Sequence, residues 1–242
     1  KPVFAGELNC IGSLCVILKD ALKPNLVQTT EHTPVMIHCG PFGNIAHGCN
    51  SVRATKMALK LAPYVVTEAG FAADLGAEKF IHIKCRQAGL NPNAAVLVAT
   101  IRALKFHGGV EKENLGVENV EALREGCQNL KTHAENVRKY GLPVVVAINR
   151  FPTDTDEELE TVRLFCESIG VDCELSEVVA RGGDGGTELA KTVKRLVDET
   201  PGAPSYLYDL EDNLKNKIEA VAREIYRADG VDYTEEAEAS IA

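Results

Sequence analysis

The chain lacks the sequence features of several large protein classes. Acidic residues outnumber basic ones by 35 to 26, and the formal net charge is −9. This balance argues against a general nucleic-acid surface, which needs a dense basic patch. No apolar run approaches the length of a membrane span, and no signal peptide opens the chain. We therefore expect neither a nucleic-acid partner nor a membrane association.

Two glycine motifs of nucleotide-binding enzymes are also missing. No GxGxxG follows a predicted strand, which argues against a Rossmann-type dehydrogenase domain. No GxxxxGK[ST] occurs either, so the loop that cradles nucleotide phosphates is absent from this chain. The chain starts at Lys1 without an initiator methionine and ends in an acidic, alanine-rich tail, so we expect a fragment of a longer protein.

The eight cysteines are scattered without a CxxC pair. In a chain this large and apolar, they indicate buried or surface thiols and a reducing cytoplasm. His38, Cys39, His47 and Cys49 suggest a zinc site, but structural zinc sites usually contain a closely spaced cysteine pair. Packing and ligand-facing polar groups are the favoured interpretation of these four residues.

Alternating apolar runs and helical spacings predict an α/β fold with a mainly parallel sheet and flanking helices. Strands are predicted at 35–38, 64–67, 94–100, 144–148, 171–178 and 206–208. Helices are predicted at 7–22, 51–61, 117–140, 187–199 and 211–227, with one more beginning after a cap at Asp154 or Thr155. The runs at 64–67 and 94–100 contain no polar residue inside the strand, which is typical of strands covered on both faces. Ligands of such sheets bind beyond the carboxyl ends of the strands.

The strand 144–148 ends in Asn149 and Arg150, which resembles the base-recognition element of P-loop nucleotide-binding proteins. An asparagine amide offers both a donor and an acceptor, so Asn149 can match a purine edge. Asparagine at a strand end is also a common turn former, and this alternative stays open.

Glu68 follows the run 64–67, with Gly70 and Asp74 beyond it. A carboxylate there can hold a Mg²⁺ water beside nucleotide phosphates, and glycines let backbone N–H groups approach phosphate. A solvated loop acid is the alternative for Glu68. The glycine-rich stretch 182–186 either cradles an anion at the next helix N-terminus or forms a simple turn.

The stretch 98–109 reads VATIRALKFHGG and resembles the signature of formate–tetrahydrofolate ligases. Further matches lie at 23–29, 40–51, 68–80 and 149–153, so the resemblance spans nearly the whole chain. In that family, formate and ATP give formyl phosphate, whose carbonyl is attacked by N10 of tetrahydrofolate. The resemblance implies a P-loop-NTPase-like fold, ATP with Mg²⁺, a potassium or ammonium activator, and a homotetramer.

By the same resemblance, Phe71 stacks on the pterin, and Phe151, Pro152 and Leu175 line the rest of an apolar folate slot. Flat rings and a rigid proline make a stacking surface at low entropy cost. Val179 stands where relatives often carry an aromatic ring that faces Phe71. The candidate nucleotide-binding residues are Asn149, Arg150 and Gly70, and the candidate metal ligand is Glu68.

The resemblance also implies a division of the chain near residue 140. Residues 1–140 are expected to form the C-terminal half of the nucleotide-binding domain, and 141–242 a smaller α/β subdomain that contributes to the folate slot. The family's phosphate loop and an arginine for formyl phosphate are expected upstream of Lys1, so the chain alone is expected to be inactive. A non-catalytic folate- or nucleotide-binding module is the alternative.

Overall fold

A computed structural model describes residues 3–40 and 47–241, which divide into two compact units with the boundary between residues 69 and 70. The first unit contains a 3₁₀ turn at Ala5–Leu8, helix α1 (Ile11–Leu18), strands β1 (Asn25–Gln28) and β2 (Pro34–Ile37), and helix α2 (Val52–Leu61). β1 and β2 form an antiparallel pair. Ser51 caps α2, because its Oγ accepts a hydrogen bond from the backbone N–H of Ala54 at 3.0 Å.

Two predictions for the first unit are corrected by the structure. The predicted strand at 64–67 is wrong, since these residues form no regular structure and Val66 is 90% exposed. The apolar run alone cannot make a strand, because a strand also needs a neighbour with which to pair. The predicted helix at 7–22 is shorter than expected and ends at Leu18.

The second unit opens with a helical segment over 72–88, which is π-helical at Ala72–Ala77 and Phe80–Cys85 and closes with α3 (Arg86–Ala88). Next come β3 (Ala95–Ala99), α4 (Ile101–His107), a 3₁₀ turn at Lys112–Asn114, α5 (Val120–Lys139) and β4 (Val144–Asn149). The rest comprises α6 (Asp156–Ser168), β5 (Asp172–Ser176), α7 (Val178–Arg181), a 3₁₀ turn at Gly182–Gly186, α8 (Thr187–Glu199), α9 (Leu214–Glu224) and α10 (Glu235–Ile241). The strand predicted at 206–208 is not formed.

Strands β3, β4 and β5 form a parallel sheet in that order, with β4 in the centre. Every residue from Val144 to Ile148 is buried. Since successive side chains point to opposite faces, both faces of β4 are covered. β3 is an edge strand, and Val96 and Val98 on one of its faces are 40% and 64% exposed. The expectation of two covered faces, which was made for the run at 94–100, is therefore wrong for β3.

Helices α4 and α5 approach closely through two glycines. A Cβ atom added to Gly108 would lie 1.8 Å from the Ala122 carbonyl oxygen, and one added to Gly126 would lie 1.8 Å from the Leu104 carbonyl oxygen. Neither contact is possible for a larger residue without a shift of the backbone. This close packing fixes α4 at the end of β3.

The α/β class and the parallel sheet are confirmed, whereas the likeness to P-loop NTPases stays a prediction. The two compact units separate between residues 69 and 70, and β3 pairs directly with β4. The division into functional domains near residue 140 stays a prediction. Within the described ranges, no helix combines the length and the apolar character needed to cross a membrane.

Candidate functional site

The three parallel strands end at nearly the same level, and the residues that follow them form what we call the carboxyl edge. The register pairs Ala99 with Ile148, and Asn149 with Ser176. The edge therefore collects the residues after β3, β4 and β5, namely Thr100 to Arg102, Arg150 to Pro152, and Glu177 to Val179. Four of the five predicted folate-slot residues lie at or beside this edge: Phe151, Pro152, Leu175 and Val179.

The two nucleotide candidates at the carboxyl end of β4 differ in their surroundings. The side-chain amide of Asn149 makes no hydrogen bond to any described residue and stays available to a ligand. Arg150 is engaged, because its guanidinium donates to Glu177 Oε1 and to Asp156 Oδ1, both at 3.2 Å. Its backbone N–H also donates to the Ser176 carbonyl at 3.1 Å. Arg150 thus joins the ends of β4 and β5, and its predicted nucleotide contact stays a prediction.

A buried carboxylate shapes the loop that carries Phe151 and Pro152. Asp154 is 6% exposed, and its Oδ2 accepts a hydrogen bond from the backbone N–H of Phe151 at 2.7 Å. Its Oδ1 is buried without a partner among the described residues. Burial raises the pKa of Asp154, and the hydrogen bond from Phe151 opposes that shift. Asp154 folds the chain back after Phe151 and leaves Pro152 exposed.

A buried ion pair lies beneath this loop. Lys105 and Glu158 are 1% and 0% exposed, and Lys105 Nζ lies 2.8 Å from Glu158 Oε1. The ammonium also donates to the Val117 carbonyl at 2.9 Å. Glu158 accepts further hydrogen bonds from the backbone N–H groups of Asn119 at 3.0 Å and Thr155 at 3.2 Å. The pair therefore ties α4, the chain before α5 and the start of α6 together.

The pKa of Glu158 reflects two opposing influences. Burial alone would raise it, but the hydrogen bonds from Lys105, Asn119 and Thr155 outweigh burial and leave the pKa below its ordinary value. Glu158 is also the acid of a capping box, because Thr155 Oγ1 accepts from the Glu158 N–H at 3.3 Å. The cap predicted at Asp154 or Thr155 is confirmed at Thr155.

The carboxyl edge also carries a cation that sequence reasoning missed. The guanidinium carbon of Arg102 lies 5.7 Å from the centroid of the Phe151 ring, within the range of a cation–π interaction. Arg102 is exposed and makes no hydrogen bond or ion pair with any described residue. Its position in the stretch 98–109 was visible in the sequence, but nothing there indicated the contact with Phe151.

The apolar candidates are unusually open to solvent. Val179, on the short helix α7, is 88% exposed, and Phe71, at the start of the helical segment 72–88, is 82% exposed. Gly70 and Phe71 directly precede that helical segment and do not follow a strand. Gly70 has φ of +91°, a value that favours glycine, and its backbone is in close approach with Gly76. The pairing of Phe71 with the carboxyl edge stays a prediction.

The helical segment after Phe71 is held by a histidine. His82 Nδ1 lies 2.8 Å from Glu78 Oε1, and His82 Nε2 accepts from the Leu207 N–H at 3.0 Å, so the proton is on Nδ1. The imidazole stacks on the Tyr208 ring at a centroid distance of 4.6 Å. It also meets Tyr140 edge-on at 5.5 Å. Residues 206–208 form no strand, and their aromatic side chains instead pack against the imidazole of His82.

The first unit contains the metal candidate and the residues considered for zinc. Glu68 lines a pocket of this unit together with Asn50 and Thr67. Both ring nitrogens of His38 are occupied, with Nδ1 at 2.7 Å from Ser51 Oγ and Nε2 at 2.7 Å from the Ala21 carbonyl. No group of three His, Cys, Asp or Glu side chains in the described ranges could hold a metal ion. The family-like stretch 40–51 lies partly outside the described residues.

The glycine-rich stretch 182–186 has a packing reason for its composition. The Gly185 carbonyl accepts from the Glu177 N–H at 3.0 Å, and a Cβ at Gly185 would lie 2.5 Å from the Glu177 backbone. The stretch therefore fixes the turn that follows β5. The helix predicted at 187–199 is confirmed as α8.

The described residues form a mixed α/β protein with a three-stranded parallel sheet, and the carboxyl edge of such a sheet is where α/β proteins commonly bind ligands. The whole chain, residues 1–242, matches the model of one protein family, formate–tetrahydrofolate ligase. The chain therefore belongs to the formate–tetrahydrofolate ligase family. The resemblance seen at 98–109 is confirmed.

Proposed function

We propose that this chain supplies the folate slot and part of the ATP site of an enzyme that joins formate to tetrahydrofolate. The family match over the whole chain carries the proposal. The position of the apolar candidates supports it, since Phe151, Pro152, Leu175 and Val179 lie at or beside the carboxyl edge, where parallel sheets bind ligands. Pro152 and Val179 are exposed, and Phe151 and Leu175 are partly exposed, so apolar surface remains for a flat ring to cover.

The proposed reaction has two steps. A formate oxygen attacks the γ-phosphorus of ATP, the bond from that phosphorus to ADP breaks, and formyl phosphate forms. N10 of tetrahydrofolate then attacks the formyl carbon, the bond to phosphate breaks, and N10 loses its proton. A potassium or ammonium activator and a homotetramer complete the proposal by analogy with the family.

The proposed nucleotide contacts of this chain are Asn149, Arg150 and Gly70, and the proposed metal ligand is Glu68. The free amide of Asn149 suits a purine edge, and a glycine at position 70 would let a backbone N–H approach a phosphate. Mg²⁺ is usually bound by one or two carboxylates together with substrate phosphates, so the single carboxylate of Glu68 fits the ion. When bound there, Mg²⁺ would neutralise charge on the phosphates.

Calorimetric titration of the chain with tetrahydrofolate, without oxygen, tests the folate slot directly. The wild type should bind, and Phe71→Ala and Phe151→Ala should each weaken binding, because a stacked ring contributes roughly 0.5–1.5 kcal/mol beyond its buried area. Val179→Trp should strengthen binding about two- to tenfold by adding a second ring. Phe4→Ala, which removes an exposed ring in the first unit, is the control. Unchanged affinity in Phe71→Ala would remove the stacking assignment.

The absence of GxxxxGK[ST] favours one alternative, a non-catalytic module that binds folate or nucleotide. The reading frame that precedes Lys1 separates the two, since a GxxxxGK[ST] motif there supports the enzyme and its absence supports the binding module. The chain incubated alone with formate, MgATP and tetrahydrofolate should release no ADP above background in either case, because it lacks the loop that cradles nucleotide phosphates.

A further inference from the structure

We propose that Arg102 binds the carboxylates of the glutamyl tail of tetrahydrofolate, and so determines how strongly this chain prefers longer polyglutamate forms. The inference rests on the proposed function, since it requires a folate on the slot that Phe151 lines. Arg102 belongs to the first turn of α4, directly after β3, and reaches the carboxyl edge from the side of Phe151. Nothing in the described structure neutralises its charge.

Arg102 differs from the other arginine beside Phe151 because it has no ion-pair partner among the described residues. The other arginine beside Phe151, Arg150, is bonded to Asp156 and Glu177. Glu177 also accepts from Arg181 at 3.0 Å. The acids of the edge are therefore already compensated and would repel an incoming carboxylate only weakly. In a chain of net charge −9, an exposed guanidinium without an acidic neighbour is an attractive point for an anion.

The surroundings of Arg102 suit a carboxylate of the folate tail. A guanidinium presents a planar fork of donors that matches a carboxylate, and Arg102 holds this fork 5.7 Å from an aromatic ring. A folate places its aromatic part on an apolar surface and extends its carboxylates toward solvent. An exposed arginine at the rim of that surface suits this arrangement.

Calorimetric titration with tetrahydrofolate monoglutamate and triglutamate tests the inference. The wild type should bind the triglutamate more tightly than the monoglutamate. At low ionic strength, Arg102→Gln should bind the triglutamate about three- to fivefold more weakly than the wild type does. Arg102→Lys should retain part of the preference, because it keeps the charge but not the planar fork. Added salt should reduce the wild-type preference and leave the Gln variant nearly unchanged.

Arg124→Gln is the matched control, since Arg124 on α5 is also exposed and without a partner among the described residues. It should leave both affinities unchanged. An equal triglutamate preference in the wild type and in Arg102→Gln would overturn the inference while leaving the folate slot intact. Weaker MgATP binding with unchanged triglutamate binding would assign Arg102 to the nucleotide and also overturn it. Failure of the wild type to bind either folate would remove the proposed function itself, and this inference with it.

Discussion

Replacing Lys105 by methionine should destabilise the second unit strongly. The substitution keeps an apolar stem of similar length but removes the ammonium that lies 2.8 Å from Glu158 Oε1. Glu158, which is 0% exposed, would then keep its charge with only backbone donors around it. Breaking a buried pair by removing one partner costs about 3–5 kcal/mol. That is a large share of a typical domain stability of roughly 5–15 kcal/mol.

Urea denaturation followed by circular dichroism measures this loss as a change in the free energy of unfolding. Arg163→Gln is the matched control, because it removes a cation paired with Glu160 at 2.6 Å where both side chains are about half exposed. The control should change stability little, since solvent screens that pair. A loss below about 1 kcal/mol in Lys105→Met would show that the pair is hydrated or that Glu158 is protonated, and would refute the reasoning.

Acidification provides a second check on the same pair. The pKa of Glu158 lies below its ordinary value of 4.5, so the folded state holds the proton less tightly than the unfolded state does. Its stabilising contribution is therefore complete above about pH 4.5 and is lost as the pH falls through the folded value. Asp154 has the opposite effect on the pH dependence of stability. Burial raises its pKa, so its protonation on acidification favours the folded state. The difference between wild type and Lys105→Met should shrink on acidification, and a constant difference would contradict the assignment.

Two further substitutions test packing by the same denaturation assay. Gly126→Ala should lower the free energy of unfolding by at least about 1–3 kcal/mol, because its Cβ would lie 1.8 Å from the Leu104 carbonyl oxygen. Gly12→Ala, whose Cβ would meet nothing within 4 Å, should instead stabilise α1 by about 0.5–1 kcal/mol, and equal effects would refute the close approach. Tyr140→Phe should leave stability unchanged or raise it by about 1 kcal/mol, since the hydroxyl is buried without a described partner, whereas a clear loss would reveal one.

The local sequence predicted the elements whose causes are local. The helix after Thr155 follows from a capping residue and three acids in its first turn, and the structure contains both. The central strand β4 follows from an uninterrupted apolar run. The run at 64–67 looks almost the same but forms no strand, because pairing depends on residues far away in the chain. Pattern alone cannot distinguish these two cases.

The candidate site shows the same limit. The family resemblance implied that Phe151 and Val179 belong to one folate slot, and the parallel sheet brings the ends of β4 and β5, which carry them, together. Arg102 was missed because its contact with Phe151 joins residues 49 positions apart, which no periodicity reports. Lys105 gave a faint signal, since it shares the buried face of α4 with Ile101 and Leu104. A lysine in a core position requires a buried partner, but the sequence could not name it.

The stretch 98–109 is a specific sequence signature because several residues in and beside one short helix, α4, contact different neighbours. Thr100 caps α4, with Oγ1 accepting the Ala103 N–H at 3.1 Å. Arg102 reaches Phe151, Lys105 reaches Glu158, and Gly108 lets α5 approach. Each requirement restricts a different position, so substitutions at one of them cannot compensate for another. The motif therefore couples the end of β3 to the loop after β4, and the same contacts that build the fold also place the carboxyl edge.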